Sequence, residues 1–159
     1  NGVKKLEKAG ADFVAIPCNT VTSYIKEMQN AVSIPIINIL QETANAVKKS
    51  GIKQVGLLGT ETTIKSRIYE NFLRGFEILT LEKPEQIETT KVIMNMLAGR
   101  KNPEDRKKLL EFVQELKSKG AKKTILGCTE LPLLIKNNSD TFDTLQILAE
   151  STVKTALKK

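Results

Sequence analysis

Histidine and tryptophan are absent from this sequence of 159 residues. Without histidine, the chain cannot form a Ser–His or Cys–His nucleophile–base pair, nor a metal site built on imidazole ligands. Acid–base chemistry would therefore have to use Cys, Asp, Glu, Lys or Tyr. The sequence also lacks any run of the ~18–20 consecutive apolar residues that a membrane-spanning helix needs, so we expect no membrane partner.

Cysteine is scarce, with only Cys18 and Cys128 present. The N-terminal segment is charged and amphipathic, unlike a signal peptide, so we expect a cytoplasmic protein. Thiols stay reduced in the cytoplasm, which disfavours a structural disulfide, and two thiols are too few for a structural zinc site. We therefore expect no bound metal and two free thiols.

Lysine and arginine outnumber aspartate and glutamate, which gives a formal net charge of +7. A basic chain invites a nucleic-acid partner. Here, however, the lysines alternate with glutamates along helical segments such as 102–120, as they do on solvated helix faces. The two tyrosines and five phenylalanines do not interleave with basic residues as stacking platforms would. We expect no nucleic-acid partner, although a positive surface would attract small dianionic substrates.

Apolar runs of strand length alternate with helical segments along the whole chain. The pattern predicts strands over 12–17, 33–40, 54–58, 77–80 and 123–126, and helices over 43–49, 64–74, 86–97, 104–119 and 145–157. Such alternation predicts an α/β fold in which parallel sheets carry helices on both faces. Active sites in these folds lie beyond the carboxyl ends of the strands.

The two cysteines occupy equivalent places in an internal repeat. A helical segment ends at Gly10-Ala11, a strand follows, and Cys18 ends it; another helical segment ends at Gly120-Ala121, and Cys128 follows at the same offset. This repeat suggests two pseudo-symmetric lobes with an active site in the cleft between them. We assign residues 1–20 and 121–159 to one lobe and residues 21–120 to the other.

Two thiols facing each other across a cleft suit the removal of a proton from one face of a carbon and its return from the other. A thiol pKa near ~8.5 allows a thiolate and a thiol to coexist near neutral pH. Small polar residues follow each cysteine, and residues 59–63 form a third, hydroxyl-rich turn. That turn lacks the Gly-Lys-Ser/Thr ending of a P-loop, so we predict no nucleotide.

Four ordered motifs resemble those of the aspartate/glutamate racemase family: Pro17-Cys18-Asn19-Thr20, the segment 56–63, Gly127-Cys128-Thr129-Glu130-Leu131 and Asp143-Thr144-Leu145. The resemblance implies racemisation without pyridoxal phosphate, metal or nucleotide, two α/β lobes with the substrate between them, and a homodimer. Glu130 stands where cell-wall glutamate racemases usually carry histidine, which points to an aspartate racemase or a broad amino-acid racemase. The sequence begins after the strand and Gly-rich turn with which the family opens.

By this resemblance, Cys18 and Cys128 form the acid–base pair and Glu130 orients groups around the second thiol. The expected substrate is a small acidic amino acid. Its carboxylate and amino groups would bind to Asn19, Thr20, Thr60, Thr63 and Thr129. Thr60 and Thr63 could equally cap the following helix, and we interpret Asp143 as structural.

Other interpretations remain open at the level of the sequence. The same two-thiol frame occurs in glutamate, hydantoin and maleate-type isomerases. The family's histidines after the first Cys-Asn-Thr motif and in the last helix are replaced here by Thr22 and Leu148, which favours a non-catalytic amino-acid-binding relative. A redox-sensing thiol pair is a further alternative, and it would require the Cβ atoms to approach within ~3.5–4.5 Å.

Overall fold

The computed structural model describes residues 1–100, 102–136 and 138–158. Its helices and strands alternate along the chain. In order they are α1 (Gly2–Lys8), β1 (Val14–Ala15), a 3₁₀ helix (Val21–Tyr24), α2 (Ile25–Gln29), β2 (Ile36–Ile37), α3 (Ile39–Lys49), β3 (Gln54–Leu58), α4 (Glu61–Lys65), β4 (Glu77–Leu79), α5 (Lys83–Leu97), α6 (Pro103–Ser118), β5 (Lys123–Leu126), α7 (Leu131–Leu134), β6 (Thr141–Asp143) and α8 (Thr144–Ala156).

The strands form two sheets, and every strand pair is parallel. One sheet has the order β4-β3-β5-β6, and the other pairs β1 with β2. Leu58 of β3 lies opposite Leu126 of β5, so these two strands end side by side. The predicted α/β fold with parallel sheets is confirmed.

Alternate side chains of the central strands enter two different cores. Val55 and Leu57 pack with α3 and α8 on one face of the four-stranded sheet. Leu58 and Leu126 pack with α5, α6 and α7 on the other face. Because successive side chains of a strand point to opposite faces, a continuous apolar strand serves both helical layers. The smaller sheet has a core cluster of its own.

Side-chain caps fix several helix starts. Asn102 accepts a hydrogen bond from the Glu104 amide at the start of α6. Asp143 accepts one from the Gln146 amide at the start of α8, which agrees with the structural role expected for it. Asn38 caps α3, and α3 therefore begins within the segment predicted to be a strand over 33–40. Only Ile36–Ile37 of that segment is a strand.

The four-stranded sheet corrects the predicted division into lobes. Strands β3 and β4 belong to the segment 21–120, and β5 and β6 belong to the segment 121–159, yet all four share one sheet. The division rested on the internal repeat. A repeated helix–strand unit specifies the order of elements but not which strands pair, and the repeat therefore could not locate the boundary.

The predicted helix over 64–74 is also wrong in part. α4 ends at Lys65, and residues 66–75 follow a path of turns and bends. Arg67 adopts a left-handed conformation with φ of 51°, which a continuing α-helix does not allow. Ile68, Tyr69 and Leu73 nevertheless enter the core, because their helix-like spacing is satisfied by the successive turns. Among the residues described, none of the helices has the length and apolarity required to cross a membrane.

Candidate active site

Both cysteines lie just beyond the carboxyl end of a strand, and both are free thiols. Cys18 follows β1, and its carbonyl accepts a 2.7 Å hydrogen bond from the Thr22 hydroxyl. Cys128 follows β5 after Gly127, whose amide donates to the Leu58 carbonyl. A Cβ on Gly127 would lie 2.8 Å from that carbonyl oxygen. The close approach requires glycine, and it brings the second thiol beside the end of β3.

The Cys128 thiol is held in its protonated form. Its sulfur donates a 2.8 Å hydrogen bond to Oε2 of Glu130. Burial, followed by this hydrogen bond and the charge of Glu130, raises the pKa of Cys128 to about 12. An electrostatic contribution from Cys18, the smallest of the causes that raise the pKa, acts in the same direction and indicates that the two thiols lie in the same region of the fold. The structure thus brings together the two thiols predicted to act as a pair.

Three of the predicted threonines form one hydroxyl cluster. Oγ1 of Thr63 lies 3.3 Å from Oγ1 of Thr20 and 3.1 Å from Oγ1 of Thr60. Thr60 also accepts a hydrogen bond from the Thr63 amide and so caps α4, as one of the two interpretations predicted. The cluster joins the turn after Cys18 to the turn after β3.

Thr129 and Glu130 lie on the Cys128 side of the site. The Thr129 hydroxyl is 3.4 Å from the same Glu130 oxygen that accepts the hydrogen bond from Cys128. The predicted position of Glu130 beside the second thiol agrees with this contact. The Glu130 carboxylate therefore accepts hydrogen bonds from two donors of its own turn.

Asn19, which was predicted to bind the substrate, is buried and forms hydrogen bonds within the protein. Its side chain is only 2% exposed. Oδ1 accepts a 2.6 Å hydrogen bond from the Tyr69 hydroxyl, and Nδ2 donates to the Thr144 hydroxyl at 3.3 Å. The sequence identified Thr144 only as part of a motif, and it gave no signal for Tyr69 because the residue lies in a segment predicted to be helical.

Two further residues missed in the sequence support the turn at 59–63 from α5. The Gln86 side-chain amide donates a 2.9 Å hydrogen bond to the Gly59 carbonyl. The Thr90 hydroxyl accepts one from the Glu61 amide at 3.0 Å. These bonds hold the polar turn against α5. Their only signal in the sequence is a polar face on a helix, which is ordinary for a solvated helix.

No cluster of three or more metal-binding carboxylate, thiol or imidazole groups occurs within residues 1–100, 102–136 and 138–158. A groove of about 660 Å³ lies between the end of α5, the start of α6 and α7. Its lining includes Met96, Arg106 and Leu134 and contains neither cysteine. The constellation of thiols, hydroxyls and a carboxylate lies elsewhere, and it combines thiols that can exchange a proton with hydroxyls that can donate hydrogen bonds to an anion.

The chain is similar in sequence and in fold to known proteins. The family model described as Asp/Glu/Hydantoin racemase matches residues 1–154. The broad specificity amino-acid racemase RacX of Bacillus subtilis is 33% identical over 99% of this chain and 70% of its own length. An aspartate racemase homologue from Pyrococcus horikoshii has a TM-score of 0.83 at 31% identity, over 98% of this chain and 71% of that one.

The aspartate racemase of Picrophilus torridus has a TM-score of 0.86 at 28% identity, over 98% of this chain and 67% of that one. The chain spans a smaller share of the curated glutamate racemases that it matches, for example 57% of the enzyme from Aquifex aeolicus.

Proposed function

The chain belongs to the Asp/Glu/hydantoin racemase family, and we propose that it racemises an amino acid without a cofactor, with aspartate as substrate. The observation that carries this proposal is the thiol pair. Cys18 and Cys128 follow strands of two different sheets, are both free and interact electrostatically. That arrangement supports proton removal on one face of a carbon and proton delivery on the other.

The two sulfurs would take different roles in the reaction. Cys128, hydrogen-bonded to Glu130 and partly buried, carries its proton and is the acid. Cys18 is then the base that takes the Cα proton, and Cys128 protonates the opposite face. In the reverse direction the roles exchange, and Glu130, 2.8 Å from the Cys128 sulfur, is placed to accept that proton.

The hydroxyl cluster is the proposed site for the substrate carboxylate. The hydroxyls of Thr20 and Thr60 each lie within 3.3 Å of the Thr63 hydroxyl, and Thr129 adds a hydroxyl beside Glu130. Donors aimed at a carboxylate also stabilise the enolate-like charge that develops when the Cα proton leaves. The net charge of +7 would attract a dianionic substrate such as aspartate.

A second candidate within the same chemistry is a broad-specificity amino-acid racemase, which the 33% identity to RacX favours. Substrate range separates the two, because an aspartate racemase should discriminate strongly against neutral amino acids. A homodimer and a cytoplasmic location remain predictions that accompany the proposal.

Proton NMR in D₂O tests the function directly. L-aspartate, L-glutamate and L-alanine are incubated with the protein and with its Cys18→Ala and Cys128→Ala variants. Ser118→Ala, which removes an exposed hydroxyl at the end of α6, is the control. We expect loss of the aspartate Cα signal, with the D-form appearing in chiral chromatography of the same samples. Both changes should be abolished in the two cysteine variants and unchanged in the control.

Normal turnover in either cysteine variant would rule out the two-thiol mechanism. Comparable exchange with alanine would favour the broad-specificity candidate. Absence of exchange with every amino acid tested would favour a relative that has the same fold and binds amino acids but does not racemise them.

A further inference from the structure

A relay of buried hydrogen bonds joins the turn after the first thiol to the strand that carries the second. The Tyr69 hydroxyl donates to Oδ1 of Asn19, and Nδ2 of Asn19 donates to Oγ1 of Thr144. Thr144 in turn donates a 2.8 Å hydrogen bond to the carbonyl of Leu126, the last residue of β5. Cys18 immediately precedes Asn19, and Cys128 lies two residues beyond Leu126.

The donors and acceptors of the relay allow only one orientation of the Asn19 carboxamide. A carbonyl oxygen can only accept and an amide nitrogen can only donate. Leu126 accepts from Thr144, so the Thr144 hydroxyl is left to accept from Asn19 Nδ2. Oδ1 must then face the Tyr69 hydroxyl. The side chain has no second orientation that satisfies all three contacts.

Burial makes this arrangement costly to disturb. Tyr69 is 1% exposed, and Asn19 and Thr144 are also fully buried. Water cannot replace a lost partner without opening the core, and an unpaired buried polar group is strongly unfavourable. Burial also raises the pKa of Tyr69 above its usual value, so the hydroxyl keeps the proton it donates.

We propose that Tyr69 is a positioning residue for the thiol pair: through Asn19 and Thr144, its hydroxyl holds the Cys18 turn against β5 and so sets the separation of the two sulfurs. A disulfide forms only when the Cβ atoms approach to ~3.5–4.5 Å. Two-sided proton transfer instead needs room for a substrate carbon between the sulfurs. The relay connects the turn after β1, in one sheet, to the end of β5, in the other, and each end of it lies next to one of the thiols.

The catalytic part of this inference rests on the racemase function proposed above, whereas the positioning part does not. Tyr69→Phe removes only the hydroxyl and keeps the ring in the core. Tyr24→Phe is a matched control, because the other tyrosine of the chain is 64% exposed. Thr144→Val breaks the same relay from its other end with little change in shape.

Two readouts are measured on each variant, at a temperature where circular dichroism shows it to be folded. The first is kcat and KM for aspartate racemisation. The second is the rate at which diamide converts the two thiols to an intramolecular disulfide, followed by non-reducing mass spectrometry. The second readout needs no catalysis, so it still tests the relay if the wild-type protein proves inactive.

For Tyr69→Phe we expect kcat to fall at least tenfold while KM changes by less than about threefold, because geometry and not binding is lost. We expect disulfide formation to accelerate severalfold as the Cys18 turn is released. Thr144→Val should act in the same way, and the double variant should be no worse than either single one, since both substitutions break one unit. Tyr24→Phe should match the wild type.

The inference is overturned if Tyr69→Phe forms the disulfide at the wild-type rate. Additive losses in the double variant would also overturn it, because they would show that the two residues act independently. If Tyr69→Phe does not fold, wild-type disulfide kinetics in Thr144→Val would be decisive against the relay.

Discussion

Replacement of Glu130 by glutamine should lower the pKa of the Cys128 thiol. The carboxylate accepts the thiol proton at 2.8 Å, and its charge opposes formation of a second negative charge beside it. Glutamine has nearly the same shape and can still accept a hydrogen bond. The substitution therefore removes the charge while disturbing little of the packing.

The size of the effect follows from the causes of the raised pKa. The pKa of Cys128 rises from an ordinary value of 9.0 to about 12, and burial, the largest cause, is unaffected by the substitution. Loss of a neighbouring charge changes a pKa by on the order of one unit. One unit gives about ten times more thiolate at a pH below both values. Because a less basic thiolate is also a weaker nucleophile, alkylation should accelerate only about threefold.

The assay is peptide-resolved iodoacetamide alkylation as a function of pH. A Cys18→Ser background leaves Cys128 as the only thiol, and Glu130→Gln is added to it. Glu61→Gln is the control, because the Glu61 carboxylate pairs with Lys65. We expect the alkylation midpoint to move to lower pH with Glu130→Gln and to stay in place with the control. An unchanged midpoint would refute the electrostatic role assigned to Glu130.

The same pKa shift also makes stability depend on pH. Cys128 has a higher pKa folded than unfolded, so the folded state keeps a proton that the unfolded state loses. The resulting stabilisation is fully present below about pH 9 and is lost as the pH rises towards 12. Glu130→Gln should flatten this decline in urea unfolding measured across that range.

Two further substitutions test the local geometry. Gly127→Ala places a Cβ 2.8 Å from the Leu58 carbonyl, so we expect a loss of about 1–3 kcal/mol in the free energy of unfolding and reduced turnover. Gly2→Ala is the control, because nothing lies within 4 Å of its Cβ. A Gly127→Ala variant whose stability stays within about 0.5 kcal/mol of wild type would contradict the expected clash. Arg67→Gly removes a side chain from a left-handed residue and should raise the free energy of unfolding by about 1 kcal/mol. The exposed pairing of Arg67 with Glu70 contributes little, so its loss should not offset this gain. A decrease in the free energy of unfolding, measured with urea, would show that Arg67 is not strained.

The central strands could be predicted from local sequence because their burial is continuous. Strands β3 and β5 begin and end at the predicted residues. Each combines an apolar run with a preceding glycine that ends a helix. The pairing of these two strands was not predictable in the same way. Register and neighbour choice depend on contacts between residues about 70 positions apart in the chain, and a single sequence does not encode such contacts as a local pattern.

The site shows the same limit at the level of side chains. The cysteines were identifiable because they are rare, follow strands and repeat at one offset. Tyr69 was not, because the apolar spacing of residues 64–73 fits a helix and the left-handed conformation of Arg67 has no marker in the sequence. The hydrogen bonds of Asn19 also had no local signal, because its partners Tyr69 and Thr144 come from distant segments.

The two thiols occupy equivalent positions in the sequence but not in their chemistry. The second residue after Cys18 is Thr20, which contacts another hydroxyl, whereas the second residue after Cys128 is Glu130, which accepts the thiol proton. For the proposed racemase, one direction of reaction therefore starts from the favoured protonation state and the other does not. Enantiomers have equal free energies in water, so kcat/KM must be the same in both directions. The asymmetry can then appear only as compensating differences in kcat and KM between the L and D substrates.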